Sequence, residues 1–367
     1  MDVFKYIDKY GSYDFNKEPF NDVDAAIFSF LPYVDFNGVV DKKKISLSDA
    51  CILHKKLHKE INNELIACKD ATKMFYYLMN TKRYSNCLLY NYYYVGNDDV
   101  QFGAICIKYN KNDVFISYEG TDLMVSGWHE NLVLCYEYPS LSHRMAIDYL
   151  NKNFLFNNDN LIIGGHSKGG NLALVASINC NMFVKKKIKK IYSMDGPGLL
   201  PKVLNSVKYK SIQNRYIHVI PHNSYVGILL ESSDDYVIKS NKDGFLAHDF
   251  LYWDISDNFL TKASLSSFSK RIRGSINGYL SSLSLVQLKN TIYNFDYIFG
   301  KLKIKSFSNF TKDKKRLLKF VDEIKRLDVD SRKILLGLLE VIFNSIGGAA
   351  RDDFREWKNN LKRNIFG

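Results

Sequence analysis

One short run in this chain has the residue types and spacing of a nucleophile: Gly165-His166-Ser167-Lys168-Gly169-Gly170. It fits G-x-S-x-G, a pattern frequent enough by chance that its flanks must decide its meaning. Leu161-Ile162-Ile163 precedes it as a short buried strand, and the Ala- and Leu-rich stretch 170–178 follows as a helix. A serine on such a strand–turn–helix corner stands above the sheet edge, and small neighbours permit the tight turn. The helix that begins there brings backbone N–H groups and a positive dipole end, both suited to an oxyanion. Ser167 is therefore the expected nucleophile of an acyl transfer, with the Lys168 amide as one oxyanion donor. A structural glycine turn is the bland alternative.

A serine hydroxyl needs a base within hydrogen-bond reach. In a chain ordered Ser…Asp…His, the eight histidines reduce to three, His218, His222 and His248. His218 lies in an alternating strand, where a packed histidine is the better reading. His222 follows Pro221 on a loop, and His248 lies in a loop beyond the last strand signal. His54, His58, His129 and His143 precede the serine and need only packing or surface roles. His166, inside the corner, is expected to pack beneath the serine, and it stands with Trp128 as a candidate substrate contact.

The elements that must hold these groups read as an α/β fold. Asp22–Leu31 and Leu47–Leu57 have helical patterns. Leu88–Val95, Phe102–Tyr109 and Val114–Tyr118 are β-branched and aromatic, separated by Gly96-Asn97-Asp98-Asp99 and Asn110-Lys111-Asn112-Asp113, which predicts an antiparallel meander. Ser142–Leu150 reads as a helix, and Ile188–Met194, Arg215–Ile220 and Tyr236–Ile238 read as strands. Strands alternating with helices favour a sheet with parallel members. From about residue 259 the pattern is helical: Leu317, Phe320, Val321, Ile324 and Leu327 share one face, and Asp330 or Ser331 can cap a helix over Ile334–Ile346. The expected division is a domain over 1–258 and a basic helical region over 259–367.

Composition narrows the class. Hydrophobic residues make up 46% and charged residues 25% of 367, which excludes collagen-like and wholly disordered chains. The net charge of +12 is uneven: residues 1–260 hold 29 basic and 29 acidic side chains, residues 261–367 hold 22 and 10. The six cysteines, Cys51, Cys68, Cys87, Cys106, Cys135 and Cys180, show no C-x-x-C pair, so buried reduced thiols are expected and metal sites are not. The N-terminus lacks the pattern of a secretory signal, and no apolar run approaches the roughly 18 residues a membrane span needs. A cytoplasmic protein is expected, with access to the inner membrane face.

These residues resemble the class 3 lipase branch of the α/β-hydrolases, and within it an uncharacterised bacterial family. The resemblance rests on Gly165-His166-Ser167-Lys168-Gly169-Gly170-Asn171-Leu172-Ala173, on Tyr118-Glu119-Gly120-Thr121-Asp122 with Trp128, and on Asp195-Gly196-Pro197-Gly198. Tyr225-Val226-Gly227-Ile228-Leu229-Leu230-Glu231 and His248-Asp249-Phe250-Leu251-Tyr252-Trp253 continue it. Pro19-Phe20-Asn21 to Asp35-Phe36 and the stretch 330–350 extend it over most of the chain. It implies an α/β-hydrolase that cleaves carboxylic esters of lipids or phospholipids, with His248 as base and the Thr121 amide as second oxyanion donor. The family's acid aligns with Ser224, so this chain departs from the pattern. Asp195, at the end of the strand after the nucleophile's helix, is the favoured substitute, with Asp234, Asp235, Asp249 or a Ser–His dyad as alternatives. Glu119 replaces the usual arginine before Gly-Thr. Residues 123–138 could cover the site.

This chemistry requires no metal or organic cofactor. An acyl ester or lipid is the expected substrate, and an anionic membrane surface the expected partner of residues 261–367. No zinc-finger, RNA-recognition or helix-turn-helix pattern points to nucleic acid. The rival reading is a non-catalytic lipid- or protein-binding module on a degenerate hydrolase scaffold, favoured by Glu119 and Ser224.

Overall fold

A computed structural model of the protein describes residues 1–58, 66–97, 100–121, 133–134, 136–304 and 314–346. They divide into two compact units, one formed by Met1–Thr121 with Tyr138–Lys270, the other drawn from Asp122–Glu137 with Arg271–Gly367. The first unit thus runs some ten residues past the change in charge and period near 259.

The first unit is an α/β fold around an eight-stranded mixed sheet in which the strands neighbour one another in chain order. Strands β1 (Ile45–Ser46), β2 (Leu88–Gly96), β3 (Gln101–Asn110) and β4 (Asp113–Tyr118) pair antiparallel. Strands β4, β5 (Asn160–His166), β6 (Ile188–Met194), β7 (Tyr216–Pro221) and β8 (Asp235–Ile238) pair in parallel. The tight Asn110–Asp113 connection returns β3 into β4. The parallel pairs need crossovers, which helices supply between β4 and β5 and between β5 and β6.

Alternation along β4 and β5 sorts side chains onto two faces. Phe115 and Ile162 join an apolar cluster with α1 (Val3–Tyr10), α2 (Asp22–Phe30), α3 (Leu47–Leu57) and α4 (Ile66–Leu78). Val114, Ile116, Tyr118, Leu161 and Ile163 join the opposite cluster with α5 (Leu141–Phe154) and α6 (Lys168–Asn179). The sheet is therefore covered on both sides, and its central strands read as nearly continuous apolar runs.

Helix α2 is fixed by polar as well as apolar contacts. Asn21 and Asp24 form a reciprocal capping box. The Asp24 carboxylate, fully buried, accepts from Arg83 Nε (2.9 Å), Arg83 Nη2 (2.5 Å) and Tyr84 Oη (2.6 Å). Arg83 also donates to the carbonyls of Glu18 (2.8 Å) and Pro19 (3.2 Å), which ties the segment ahead of α2 to the same pair.

The described cysteines Cys51, Cys68, Cys87, Cys106 and Cys180 are free thiols, and Cys135 lies outside the described residues. Burial pushes the Cys51 and Cys106 thiols up to about 12. They pack as small apolar groups.

The second unit is helical. Helices α8 (Leu285–Lys301), α9 (Lys314–Arg326) and α10 (Val329–Ile346) follow α7 (Ser267–Ser282), which straddles the division. Ile292, Phe295, Ile298 and Phe299 of α8 are buried, as are Phe320 and Ile324 of α9 and Leu335 and Leu339 of α10. Phe299 meets Phe320 edge-on at 5.4 Å. Of the α9 stripe anticipated from spacing, Phe320 and Ile324 are buried and Val321 is half-buried. None of the described helices is long and apolar enough to cross a membrane.

Candidate active site

The apolar run Leu161-Ile162-Ile163 and the two glycines after it form most of β5, within the parallel half of the sheet. Ser167 follows directly, and α6 starts at Lys168. To make that turn Ser167 takes φ +57°, ψ −133°, a backbone conformation that L-residues rarely hold and that costs about 1–3 kcal/mol. Its N–H donates to the Met194 carbonyl (2.9 Å), which binds the corner to the end of β6. A Cβ at Gly169 would overlap the Tyr118 carbonyl oxygen at the end of β4, so only glycine lets the helix come this close to the sheet.

At the end of β6, Asp195 also has positive φ, +51°, and donates its N–H to the Val219 carbonyl (2.7 Å). Its carboxylate is fully buried and satisfied by three donors. His248 Nδ1 lies 2.6 Å from Oδ2, while Ser224 Oγ (2.5 Å) and the Gly227 N–H (3.0 Å) donate to Oδ1. Ser224 is in turn seated by the Gly227 N–H, 3.0 Å from its Oγ. Of the carboxylates weighed from sequence, Asp195 is thus the one the structure pairs with His248. Asp235 is engaged by His218 Nδ1 (2.8 Å), Asp234 is exposed, and the Asp249 carboxylate accepts the Leu251 N–H. Ser224, which aligns with the expected acid, donates to the Asp195 carboxylate.

His248 closes a short helical turn over 244–248 and is 7% exposed. Its backbone is held by His166. Burial drives the His166 ring well below the ordinary histidine range, so it is neutral, and its Nε2 faces the His248 carbonyl at 2.8 Å. Nε2 must carry the proton, and Nδ1 therefore accepts from Tyr33 Oη at 3.0 Å. The two imidazoles lie 4.3 Å apart. Both ring nitrogens of His166 are engaged within the protein, so it contacts the base loop from below and is not available to bind substrate by hydrogen bonds.

His218 and His222, the other candidate bases, are engaged elsewhere. His218 spans Asp235 and the Gly196 carbonyl (2.8 Å), and His222 receives the Ser240 N–H at 3.2 Å. His143 is a support that sequence reasoning missed. Burial pushes it down to about 4, its Nδ1 accepts the Ser140 N–H, and its Nε2 donates to Asn171 Oδ1 at 2.6 Å. Asn171 then donates to the carbonyls of Pro197 (3.2 Å) and Gly198 (2.7 Å), so α5 and α6 jointly hold the turn that carries Asp195. The only sequence signal was Asn171 in an otherwise apolar helix.

The Gly120-Thr121 loop leaves β4 beside Ser167. A Cβ at Gly120 would overlap Tyr33 Oη and lie 2.5 Å from the His166 carbonyl oxygen and 3.0 Å from Ser167 Cβ. Thr121 is 6% exposed, and Lys168 is fully buried with its Nζ 2.7 Å from the Gln101 carbonyl. Glu119 turns back onto β3, where Gln101 Nε2 lies 3.4 Å from its carboxylate. Trp128 lies outside the described residues, as do positions 123–132 and 135 of the expected cover. Gly120→Ala is expected to push the loop off the serine and lower reaction at Ser167 about 10- to 100-fold, with little loss of far-ultraviolet ellipticity. Rates on a reactive ester would check this.

The description Mbeg1-like belongs to a family model that matches residues 78–299 of this chain. The chain belongs to the Mbeg1-like family. The matched span of this Mbeg1-like protein runs from the end of α4 into α8 and contains Thr121, Ser167, Asp195 and His248. No curated protein and no solved structure matches the chain. Among the described residues of the Mbeg1-like chain, no group of three or more His, Cys, Asp or Glu is placed to hold a metal ion.

Asp249, beside the base, is charged at a cost. Burial raises its carboxyl to about 6 against the opposing Leu251 N–H, and the charge of Asp70 adds to the rise. The folded state then holds a proton between about pH 4 and 6 that the unfolded chain releases, so stability falls as pH rises through that window. Asp249→Asn, which keeps an acceptor for Leu251, is expected to raise stability by about 2 kcal/mol at pH 8 and hardly at all at pH 4. Urea unfolding at the two pH values measures it.

Proposed function

We propose that this chain is a serine hydrolase of the α/β-hydrolase type that cleaves carboxylic esters, with lipid or phospholipid acyl esters as its substrate class. The observation that carries the reading is the strained Ser167 corner beside a buried Asp195–His248 pair 2.6 Å apart. Strain at φ +57° persists only where its surroundings enforce it, and it is the backbone conformation that lifts a hydroxyl clear of a sheet edge.

In the proposed reaction Asp195 holds the Nδ1 proton of His248 and leaves Nε2 basic. Ser167 Oγ bonds to the ester carbonyl carbon as its proton passes to His248. The backbone amides of Lys168 and Thr121 stabilise the tetrahedral oxyanion at the start of α6. Collapse breaks the bond to the alcohol oxygen, which leaves with the proton from His248. Water, deprotonated by the same imidazole, then frees the acid and restores the serine. The lipid part of the reading rests on the resemblance to class 3 lipases. A thioester or amide would engage the same groups.

A fluorophosphonate probe tests the nucleophile without the natural substrate. Stoichiometric labelling, located by mass to the tryptic peptide ending at Lys168, is the expected result. Folded protein that stays unlabelled, including in the presence of lipid vesicles, would sink the reading and leave the non-catalytic scaffold. A panel of acyl esters and phospholipids then sets the substrate class.

A further inference from the structure

The second unit displays a surface that its own packing does not explain. Its helix α8 buries Ile292, Phe295 and Phe299, yet the opposite side shows Val286 (67% exposed), Tyr293 (69%) and Tyr297 (49%) in a stripe at helical spacing. The tyrosine rings stack 6.5 Å apart, nearly parallel. Lys289 is exposed beside them, and Lys301 continues the stripe with Nζ 5.3 Å from the Tyr297 ring.

On the next helix, joined to this stripe at Lys301, the exposed side chains are largely basic. Lys301 Nζ lies 2.9 Å from a Glu323 oxygen, and Arg326 holds the other at 2.8 Å. Glu323 is the acidic residue that joins the two helices, and its charge is spent on that join. From it, helical spacing runs Arg316, Lys319 and Arg326 along one arc of α9, with Lys315 beside them, all exposed. Leu318 stands 67% exposed on the side away from the Phe320–Ile324 core. The region 261–367 holds 22 basic and 10 acidic side chains, so the whole of the chain's +12 excess resides there.

We infer that this α8–α9 surface docks on an anionic lipid membrane. Lysines and arginines meet lipid phosphates, while Tyr293, Tyr297, Val286 and Leu318 enter the boundary between headgroups and acyl chains. Tyrosine suits that boundary because its ring is apolar and its hydroxyl is not. Aliphatic side chains projecting among the cations set this surface apart from a nucleic-acid groove, where bases stack on aromatic rings and branched aliphatics gain little. The inference does not depend on Ser167 being a nucleophile, because docking is read without turnover.

Co-sedimentation of the full chain with phosphatidylglycerol vesicles, against phosphatidylcholine vesicles, tests it. Binding to the anionic vesicles alone, weakened by added salt, is expected. Removing three charges in Lys315→Gln/Arg316→Gln/Lys319→Gln should lower partitioning on the order of 10²-fold, at about fivefold per charge. Tyr293→Ser/Leu318→Ser, which leaves the charge intact, should lower it roughly tenfold. Lys315→Arg/Lys319→Arg should bind as the parent does, which separates lost charge from lost fold, and melting curves of all three variants complete that control. Equal binding to both vesicles, no binding to either, indifference to both sets of losses, or displacement from the anionic vesicles by RNA or DNA at equal phosphate would each overturn the inference.

Discussion

Asp195→Asn is expected to slow acylation of Ser167 about 10⁴-fold while leaving the fold in place. The direction follows from the three donors around the carboxylate. Oδ1 receives Ser224 Oγ and the Gly227 N–H, and both need an acceptor. An asparagine in this site must therefore turn its oxygen toward them and its amide N–H₂ toward His248. A donor facing Nδ1 forces the imidazole proton onto Nε2, and the nitrogen meant to accept the serine proton is then occupied. The loss is one of tautomer, not of packing, so the melting temperature should change little.

The second-order rate of fluorophosphonate labelling reads this directly. Asp235→Asn is the matched comparison: it removes a half-buried charge from His218, not from His248, and should leave the labelling rate within a few-fold of the parent. A fall of less than tenfold for Asp195→Asn would make Asp195 a turn residue that happens to lie near a histidine. It would also return the dyad reading, with Ser224 rather than a carboxylate supporting the base.

How far these features are legible in the sequence depends on how local their causes are. The strands β2 to β8 and the helices α2, α3, α5 and α6 follow from periodicity and turn residues, which act over a few positions. Helix α6 could also be placed by the small residues that the corner demands. Helices α1 and α4 are not legible locally, because their tyrosines, lysines and scattered apolar residues give weak preferences; burial of Tyr6, Ile7, Met74 and Phe75 in the shared apolar cluster decides them. The acid was ambiguous for a different reason. Asp195, Asp235 and Asp249 are all aspartates at element ends, and only the three-dimensional placement of His248, 53 residues beyond Asp195, selects among them. The roles of His166 and His143 were equally out of reach, since a tautomer is set by partners that sequence spacing does not reveal.

Ser224 shows the same limit in another form. Aligned by resemblance it marks an acid lost from its usual strand. In the fold its hydroxyl is a donor to an acid on the neighbouring strand, so a departure in sequence and a supported carboxylate coexist. Glu119 likewise departs from arginine, yet its side chain lies toward β3 and Gln101 while Gly120 keeps its place against Ser167. Neither departure removes a group from the candidate site.

Arg83→Met carries the largest expected effect on stability, a loss of about 3–5 kcal/mol. Arg83 and Asp24 have fully buried side chains, so deleting the cation leaves a carboxylate in the core with only the hydroxyls of Tyr84 and Tyr6 and the Asn21 N–H for company. Burial and the Asp24 charge hold the Tyr84 hydroxyl far above the ordinary tyrosine range, so it stays a neutral donor that cannot balance the carboxylate charge. The carbonyls of Glu18 and Pro19 lose their donor at the same time. Because the cost is mainly that of a stranded charge, the double variant Asp24→Asn/Arg83→Met should regain part of it, with a coupling of at least about 1 kcal/mol in urea unfolding. The consequence reaches the site. Helix α2 runs into Tyr33, Tyr33 hydrogen-bonds His166, and His166 holds the backbone of His248, so Arg83→Met should also slow labelling of Ser167 at temperatures where the protein is still folded. Equal losses for the single and double variants would mean that the pair acts through packing alone, and an unchanged labelling rate would cut the link from α2 to the base.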